Sequence, residues 1–345
     1  MSRWSTTGTL GIMAGPGLWP PAPDPMLLPT LAVLAGFAAL TWGADRFVLG
    51  AAATARNLGV PTLVIGLTVV GFGTSAPEIL VSATAAWQGN TSLAIGNALG
   101  SNITNIALVL GATAVIMPLR VHSDVLRREF PVLMAITFFS LVLLSDGRLG
   151  RLDGVLLLAG LVVMLYWMVN LGLRARRSDP IRSEYAAELP VAIPPKIALF
   201  WLLVGLLVLL AGSRLLVWGA IEIALLLGVS DLIIGLTIVA IGTSLPELAA
   251  SVISALRHEH DIAIGNIIGS NMYNLLAVLA LPGLIHPDTF PPEVLMRDFP
   301  VMIVLTLGLF AVAYGFRGEG QINRYEGGAL LTAFAGYQLL LFHSA

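Results

Sequence analysis

The sequence predicts an all-α polytopic membrane protein, with ten transmembrane helices arranged as two inverted five-helix repeats. Three observations predict it. First, 57% of the 345 residues are hydrophobic and only 11% are charged, against about a quarter charged in an ordinary soluble domain; the mean hydropathy is +0.89. Second, polar punctuation separates ten apolar segments, each at least as long as the roughly 18 residues that mark a spanning helix. Third, the chain repeats itself. "VIGLTVVGFGTSAPEILVS" (Val64–Ser82) matches "IIGLTIVAIGTSLPELAAS" (Ile233–Ser251), and "AIGNALGSNITN" (Ala94–Asn105) matches "AIGNIIGSNMYN" (Ala263–Asn274). One offset of 169 residues carries both matches and also sets "REFP" at Arg128 onto "RDFP" at Arg297. A constant offset across two motifs and the loop between them is the mark of duplication.

The stretch 1–26 is rich in Pro and Gly with one early Arg. It lacks the long apolar core and cleavage site of a signal peptide, so it reads as an N-terminal tail. Spans are expected at 27–56, 61–87, 92–117, 128–145 and 153–173, forming a first repeat over 27–173 whose motif occupies 64–105. After a link at 174–196, spans at 197–226, 230–256, 261–281, 299–316 and 326–343 form a second repeat over 197–345, with its motif at 233–274. The first and sixth spans exceed what the hydrocarbon requires and are expected to tilt.

The link carries Arg174, Arg176, Arg177, Arg182 and Lys196, which places it in the cytoplasm by the positive-inside rule. Counting outward puts Arg56, Arg120, Arg127, Arg128, Arg257, Arg317 and Arg324 on the same side. The loops at 87–91, 146–153 and 282–298 then face the other way. The expected location is the cell's inner (plasma) membrane, multi-pass, with both termini non-cytoplasmic. Each half holds an odd number of spans, so the halves enter the membrane from opposite sides. That is the architecture of secondary transporters, whose sites lie near the midplane on interrupted helices. A net charge of −2 argues against nucleic acid as a partner. With no cysteine in the chain, a disulfide framework, a thiolate metal site and a cysteine nucleophile are excluded.

The repeated motifs carry the chemistry. Pro77 has no N–H, so the carbonyl of Gly73 loses its helical partner and the helix kinks nearby, with Gly71 loosening the same turn. Thr74 and Ser75 precede Glu78 by four and three residues, on one helical face. Gly242, Thr243, Ser244, Pro246 and Glu247 repeat the set. On the following span Asn97, Ser101 and Asn105 form one polar stripe, answered by Asn266, Ser270 and Asn274, while Gly96, Gly100, Gly265 and Gly269 permit close helix approach. Intramembrane carboxylates mark function by default. All the ligands offered are hard oxygens, suited to Ca²⁺, Na⁺ or Mg²⁺, and two facing carboxylates neutralise one divalent ion or attract several monovalent ones. Asn102 and Asn271 lie off the stripe, where structural hydrogen bonds are expected. Asp45 and Arg46 in the first span and Arg214 in the sixth are also deep, with ion pairing or snorkelling as the expected role.

The paired "GTSxPE…GNxxGSNxxN" blocks resemble the α-repeats of the cation/Ca²⁺ exchanger superfamily, and the whole chain is similar to its prokaryotic sodium/calcium exchangers. The resemblance implies a secondary active antiporter, not an enzyme. It would exchange Na⁺ for Ca²⁺ by alternating access, typically three for one and hence electrogenically, with spans 1 and 6 sliding across the core hairpins. Glu78 and Glu247 would be central ligands for both ions. Thr74 and Thr243 would offer carbonyls, as would Gly71 and Ala240, while Ser75, Ser244, Ser101 and Ser270 would offer side-chain oxygens and Asn105 and Asn274 would complete the centre. Ca²⁺ and Na⁺ are then substrates, the lipid bilayer is the surrounding partner, and neither a prosthetic group nor an obligate protein partner is implied. Some relatives, K⁺-dependent exchangers among them, carry Asp where this chain has Asn274, which argues against K⁺ dependence. H⁺/Ca²⁺ antiport through the same glutamates is the alternative. An intramembrane hydrolase built on Ser75 or Ser244 lacks an activating base; a passive channel is a further alternative, over which the inverted halves favour alternating access.

Overall fold

The computed structural model describes residues 25–121, 123–178, 193–228, 240–313 and 320–344. The tail up to residue 24, Arg182 and most of the link, His122, Arg317 and the first ten residues of the seventh predicted span lie outside the described residues. In lipid only a helix or a closed barrel satisfies every backbone group, and the apolar runs are helical. They comprise α1 (Leu27–Leu58), α2 (Thr62–Thr74), α3 (Ala76–Trp87), α4 (Thr91–Ile116), α5 (Ser123–Leu144), α6 (Arg151–Ser178) and α7 (Pro195–Leu226). The second half continues with α8 (Ala240–Thr243), α9 (Leu245–Leu256), α10 (His260–Ile285), α11 (Val294–Ala313) and α12 (Arg324–Ser344).

Six of these helices, α1, α4, α6, α7, α10 and α11, are long and apolar enough to cross a membrane among the described residues, and α2 with α3 makes a seventh if the pair is one span bent by 43°. The protein is therefore a multi-pass helical membrane protein. Local chemistry sets the joints. Gly59, at φ 63°, ends α1 in the left-handed conformation that glycine adopts without strain. The Asn90 side chain opens α4 by accepting from Leu93 N at 3.0 Å, which satisfies one of the free amides of a helix start.

Helices α4 and α10 form the centre. Of their most apolar stretches 72% and 83% are buried, against 22% for α6, so α6 faces lipid. Helix α2 lies against α10 through paired glycines: a Cβ on Gly66 would meet Ile262 O at 2.9 Å, and one on Gly265 would meet Leu63 O at 2.8 Å. The first half thus grips the second backbone to backbone.

Helices α1 and α7 run antiparallel along a second glycine seam. Gly36, Gly43 and Gly50 recur every seven residues, as do Gly205, Gly212 and Gly219, and the offset of 169 carries one set onto the other. A Cβ on Gly36 would lie 2.5 Å from Leu216 N, and one on Gly212 would lie 2.5 Å from Leu40 N. Two short antiparallel ladders close the ends. β1 (Leu119–Val121) pairs with β4 (Gly320–Ile322), and β2 (Arg148–Leu149) pairs with β3 (Asp288–Thr289).

Candidate ion-binding centre

Both glutamates sit just past a break in their helix. Helix α2 ends at Thr74 and α3 starts at Ala76; the joint, Ser75, has φ −76° and ψ 6°. The joint between α8 and α9, Ser244, has nearly the same angles, −88° and 7°. Pro77 and Pro246 fall in the first turn of the helices that follow, where a missing N–H does no damage. The bend expected around Gly73 is thus placed at Ser75. Each break offers two helix ends. The carbonyl end of α2 or α8 suits a cation, while the amide end of α3 or α9 holds Glu78 or Glu247 in its first turn and favours a carboxylate there.

The side chains gather crosswise. Glu78 is faced by the hydroxyls of Thr243 and Ser101, and Glu247 by those of Ser75, Thr74 and Ser270. Each half therefore lends hydroxyls to the other half's glutamate. Ser75 Oγ donates to Glu247 Oε1 at 3.2 Å. The Thr74 hydroxyl lies 3.4 Å from Ser270 Oγ and donates to Asn266 Oδ1 at 2.9 Å. Ser270 Oγ donates to the Gly71 carbonyl at 3.3 Å. The two carboxyls are near enough to repel when both are charged, and both are 1% exposed.

Beneath each glutamate an asparagine spans the hairpin. Asn97 Nδ2 donates to the Glu78 carbonyl and to Ser82 Oγ, each at 3.0 Å. Asn266 Nδ2 donates to the Glu247 carbonyl at 3.1 Å and to Ser251 Oγ at 2.9 Å. Ser82 and Ser251 stand one turn after the glutamates and are themselves related by the repeat offset. That repetition is a signal in the sequence which reasoning from ligand chemistry alone misses.

Several buried polar atoms have no hydrogen-bond partner among the described residues: Glu78 Oε2, Glu247 Oε2, Ser244 Oγ, Asn105 Oδ1, and both Asn274 Oδ1 and Nδ2. Burying such atoms unpaired is unfavourable by about 1–3 kcal/mol each. A bound cation would supply what the oxygens lack. No group of three or more His, Cys, Asp or Glu comes together among the described residues, so the two glutamates carry the charge of the centre. Asn105 Nδ2 donates to Asn271 Oδ1 at 3.1 Å, and Asn102 Nδ2 approaches Met302 Sδ at 3.4 Å. Helical π turns begin at Asn105 and at Asn274, and such widened turns recur at functional sites. Of the candidate ligands, Ala240 opens α8 at the edge of the described residues, and its side chain is outside them.

The other intramembrane charges lie elsewhere. Asp45 is ion-paired with Arg257 at the end of α9. Arg46 stacks its guanidinium over the rings of Trp201 and Trp42, 4.9 and 5.8 Å from their centroids, a cation–π arrangement. Arg214 is exposed. None of the three joins the glutamate cluster.

The profile of the family described as sodium/calcium exchanger protein matches residues 28–170 and 197–343. CaxA of Alkalimonas amylolytica is 53% identical over 92% of this chain and 100% of its own length. The sodium/calcium exchanger MaX1 of Methanosarcina acetivorans is 32% identical over 91% of this chain and 98% of its own. Among solved structures, the sodium-calcium exchanger NCX_Mj soaked with 10 mM Na⁺ superposes with a TM-score of 0.77 at 34% identity, covering 90% of this chain and 97% of that one.

Proposed function

The chain belongs to the sodium/calcium exchanger family, and on that footing we propose that its cation/Ca²⁺ antiport is driven by Na⁺ and proceeds by alternating access around Glu78 and Glu247. The observation that carries this reading is the crosswise cluster: two fully buried carboxyls, each faced by hydroxyls drawn from both halves, with an unpartnered oxygen on each.

The chemistry follows from charge. Two carboxylates left bare at membrane depth carry a large desolvation penalty. One Ca²⁺ cancels both charges, with Ser75, Ser244, Ser101, Ser270, Asn105 and Asn274 and the carbonyls of Thr74, Thr243, Gly71 and Ala240 completing its shell or those of competing Na⁺ ions. An empty centre holds two uncompensated charges and resists the switch between facings, so flux couples one ion to the other. Three Na⁺ against one Ca²⁺ moves one net positive charge per cycle, which makes transport electrogenic. The neutral Asn274 keeps the centre at two carboxylates and speaks for K⁺ independence.

The inverted arrangement belongs to the same proposal: ten spans, a first repeat over 27–173 and a second over 197–345. Two features support it. The α1 and α7 glycine seams run antiparallel and map onto each other. The offset carries β1 onto β3, whose partners β2 and β4 occupy corresponding places between later helices. With the arginine-rich link inside, both termini lie on the outer side of the cell's inner membrane.

The test is Ca²⁺ uptake into proteoliposomes under imposed Na⁺, H⁺ and K⁺ gradients. Uptake should follow an opposed Na⁺ gradient and respond to membrane potential; uptake that follows the pH gradient alone would assign H⁺ as the driving ion. Glu78→Gln and Glu247→Gln should each abolish Ca²⁺ flux in folded protein. Normal flux in either variant would show that the centre lies elsewhere.

A further inference from the structure

Resting on the centre proposed above, we infer that Asn97 and Asn266 are positioning residues. They do not offer an oxygen to the cation; they set where Glu78 and Glu247 stand. Each glutamate lies in the first turn of a helix, where the backbone is least restrained. The asparagine ties that turn to the facing helix of the same hairpin by donating to the glutamate's own carbonyl. Its second contact, Ser82 or Ser251, is one turn further on, so two points of the helix are held at once. Ser82 Oγ in turn donates to Ala94 O at 3.1 Å, which adds a third tie across the first hairpin.

Asn266 reaches further. Its Oδ1 accepts from Thr74 of the other half, one of the hydroxyls that face Glu247. One buried amide thus registers the glutamate's backbone, the hairpin beneath it and a hydroxyl arriving from across the pseudo-symmetry axis. Partners of this kind orient a cation's ligands, and their loss typically lowers affinity by about ten- to a hundred-fold.

The experiment compares Asn266→Ala and Asn97→Ala with wild type and Glu247→Gln, all purified as monodisperse protein, by Ca²⁺ titration calorimetry and by initial rates of Ca²⁺ uptake. Each alanine variant should raise the Ca²⁺ KM about ten-fold or more and leave the maximal rate within about two-fold. Ser251→Ala, which keeps the tie to the Glu247 carbonyl, should shift KM far less. A purely structural role would lower the yield or unfolding temperature and leave KM where it was, and that result overturns the assignment. Should Asn266→Ala not fold, Asn97→Ala decides, because Asn97 is half-buried and its truncation is better tolerated. Normal flux in Glu247→Gln would instead sink the centre itself, a different failure.

A separate observation carries a second inference. Two ion pairs join α1 to the corner between α9 and α10: Asp45 with Arg257, and Arg56 Nη2 with Glu259 Oε1 at 2.6 Å. A cleft lined by Arg56, Arg257, Glu259 and Ile193 lies at the same place. In a protein of two inverted repeats, the opposite facing is obtained by exchanging the conformations of the halves. Each contact is then replaced by that of the repeat mates. The offset of 169 carries Asp45 and Arg257 to Arg214 and Gln88, and Arg56 and Glu259 to Leu225 and Asn90. Neither replacement is an ion pair. The structure therefore assigns these pairs as a latch that favours the facing seen here over its counterpart.

The chain has no cysteine, so a spin-label pair at Leu58→Cys and Leu256→Cys, both exposed, reports the separation of α1 from this corner by double electron–electron resonance. Asp45→Asn and Arg56→Gln should each shift the population towards the longer distance by about two- to five-fold at low salt, and the exchange Asp45→Arg with Arg257→Asp should restore it. High salt should weaken the bias in wild type. Unchanged distances in both neutral variants would overturn the latch.

Discussion

Gly43→Ala tests whether the α1–α7 seam depends on bare backbone. A Cβ at Gly43 would sit 2.5 Å from Leu209 N and 2.8 Å from Leu209 Cα. Ordinary contact at such atoms needs about 3.4–4 Å, so the helices must part by roughly 1 Å or bend. The obstructing atoms are backbone, with no rotamer to yield. Overpacking of this kind is unfavourable by about 1–3 kcal/mol, and a parting of 1 Å also forfeits a quarter to a half of the dispersion attraction at the neighbouring contacts. Alanine's better helix propensity returns up to about 1 kcal/mol, so the overpacking term less that return leaves about 0–2 kcal/mol, to which the lost dispersion adds. Gly308 and Gly336 are the controls, since a Cβ at either meets nothing within 4 Å; there alanine should be neutral or stabilising. The assay is the apparent unfolding temperature of purified protein in one detergent at one scan rate. Gly43→Ala should unfold below wild type, and Gly308→Ala at or above it. Equal temperatures for the two variants would refute the seam.

Three further outcomes are expected. Asn274→Asp adds a carboxylate where both amide atoms are buried and unpartnered; it should lower the unfolding temperature in chelator and enlarge the rise on adding Ca²⁺, because ligand at a hundred times its Kd contributes about 2.7 kcal/mol. Pro77→Ala returns an N–H to the turn after Ser75, so the 43° bend should relax and Ca²⁺ uptake fall while the protein stays folded, as read by flux beside circular dichroism. Gly269→Ala drives a Cβ into the Leu67 backbone next to Ser270 and should reduce both stability and Ca²⁺ affinity, whereas a loss of stability alone would mean that α2 and α10 do not set the centre's geometry.

Much of the fold is legible in the residues, and the reasons for what is not are physical. Helix positions follow hydropathy closely: the apolar runs predict 27–56 and 197–226, and the helices occupy Leu27–Leu58 and Pro195–Leu226. The repeat motifs point to Glu78 and Glu247 because a carboxylate is too unfavourable in an apolar run to persist there without a function. The crosswise supply of hydroxyls is not readable. Spacing places Thr74 and Ser75 on the face of Glu78, yet they face Glu247, because the break at Ser75 turns α3 away from α2 and the other half fills the gap. The π turns at Asn105 and Asn274 leave no sequence trace either, since a widened turn is settled by packing. The seven-residue glycine spacing in α1 and α7 is visible in the chain, but its purpose emerges only once each glycine is seen against backbone.

The two halves agree where cations would bind and differ where α1 meets the corner between α9 and α10. Glutamate, hydroxyl and amide positions are the same in both motifs, and so are the glycine seams. What duplication has not kept is the charge at that junction: Asp45, Arg56, Arg257 and Glu259 have no matching pairs at their repeat mates. Symmetry of the first kind would let one set of oxygens meet ions arriving from either side with similar affinity. Asymmetry of the second kind would make the two proposed facings unequal in energy without touching the ligands. By thermodynamic linkage, a bias of that sort shifts the apparent affinity seen from one side relative to the other. Directional preference in such an exchanger could then be adjusted by a handful of charges outside the glutamate cluster.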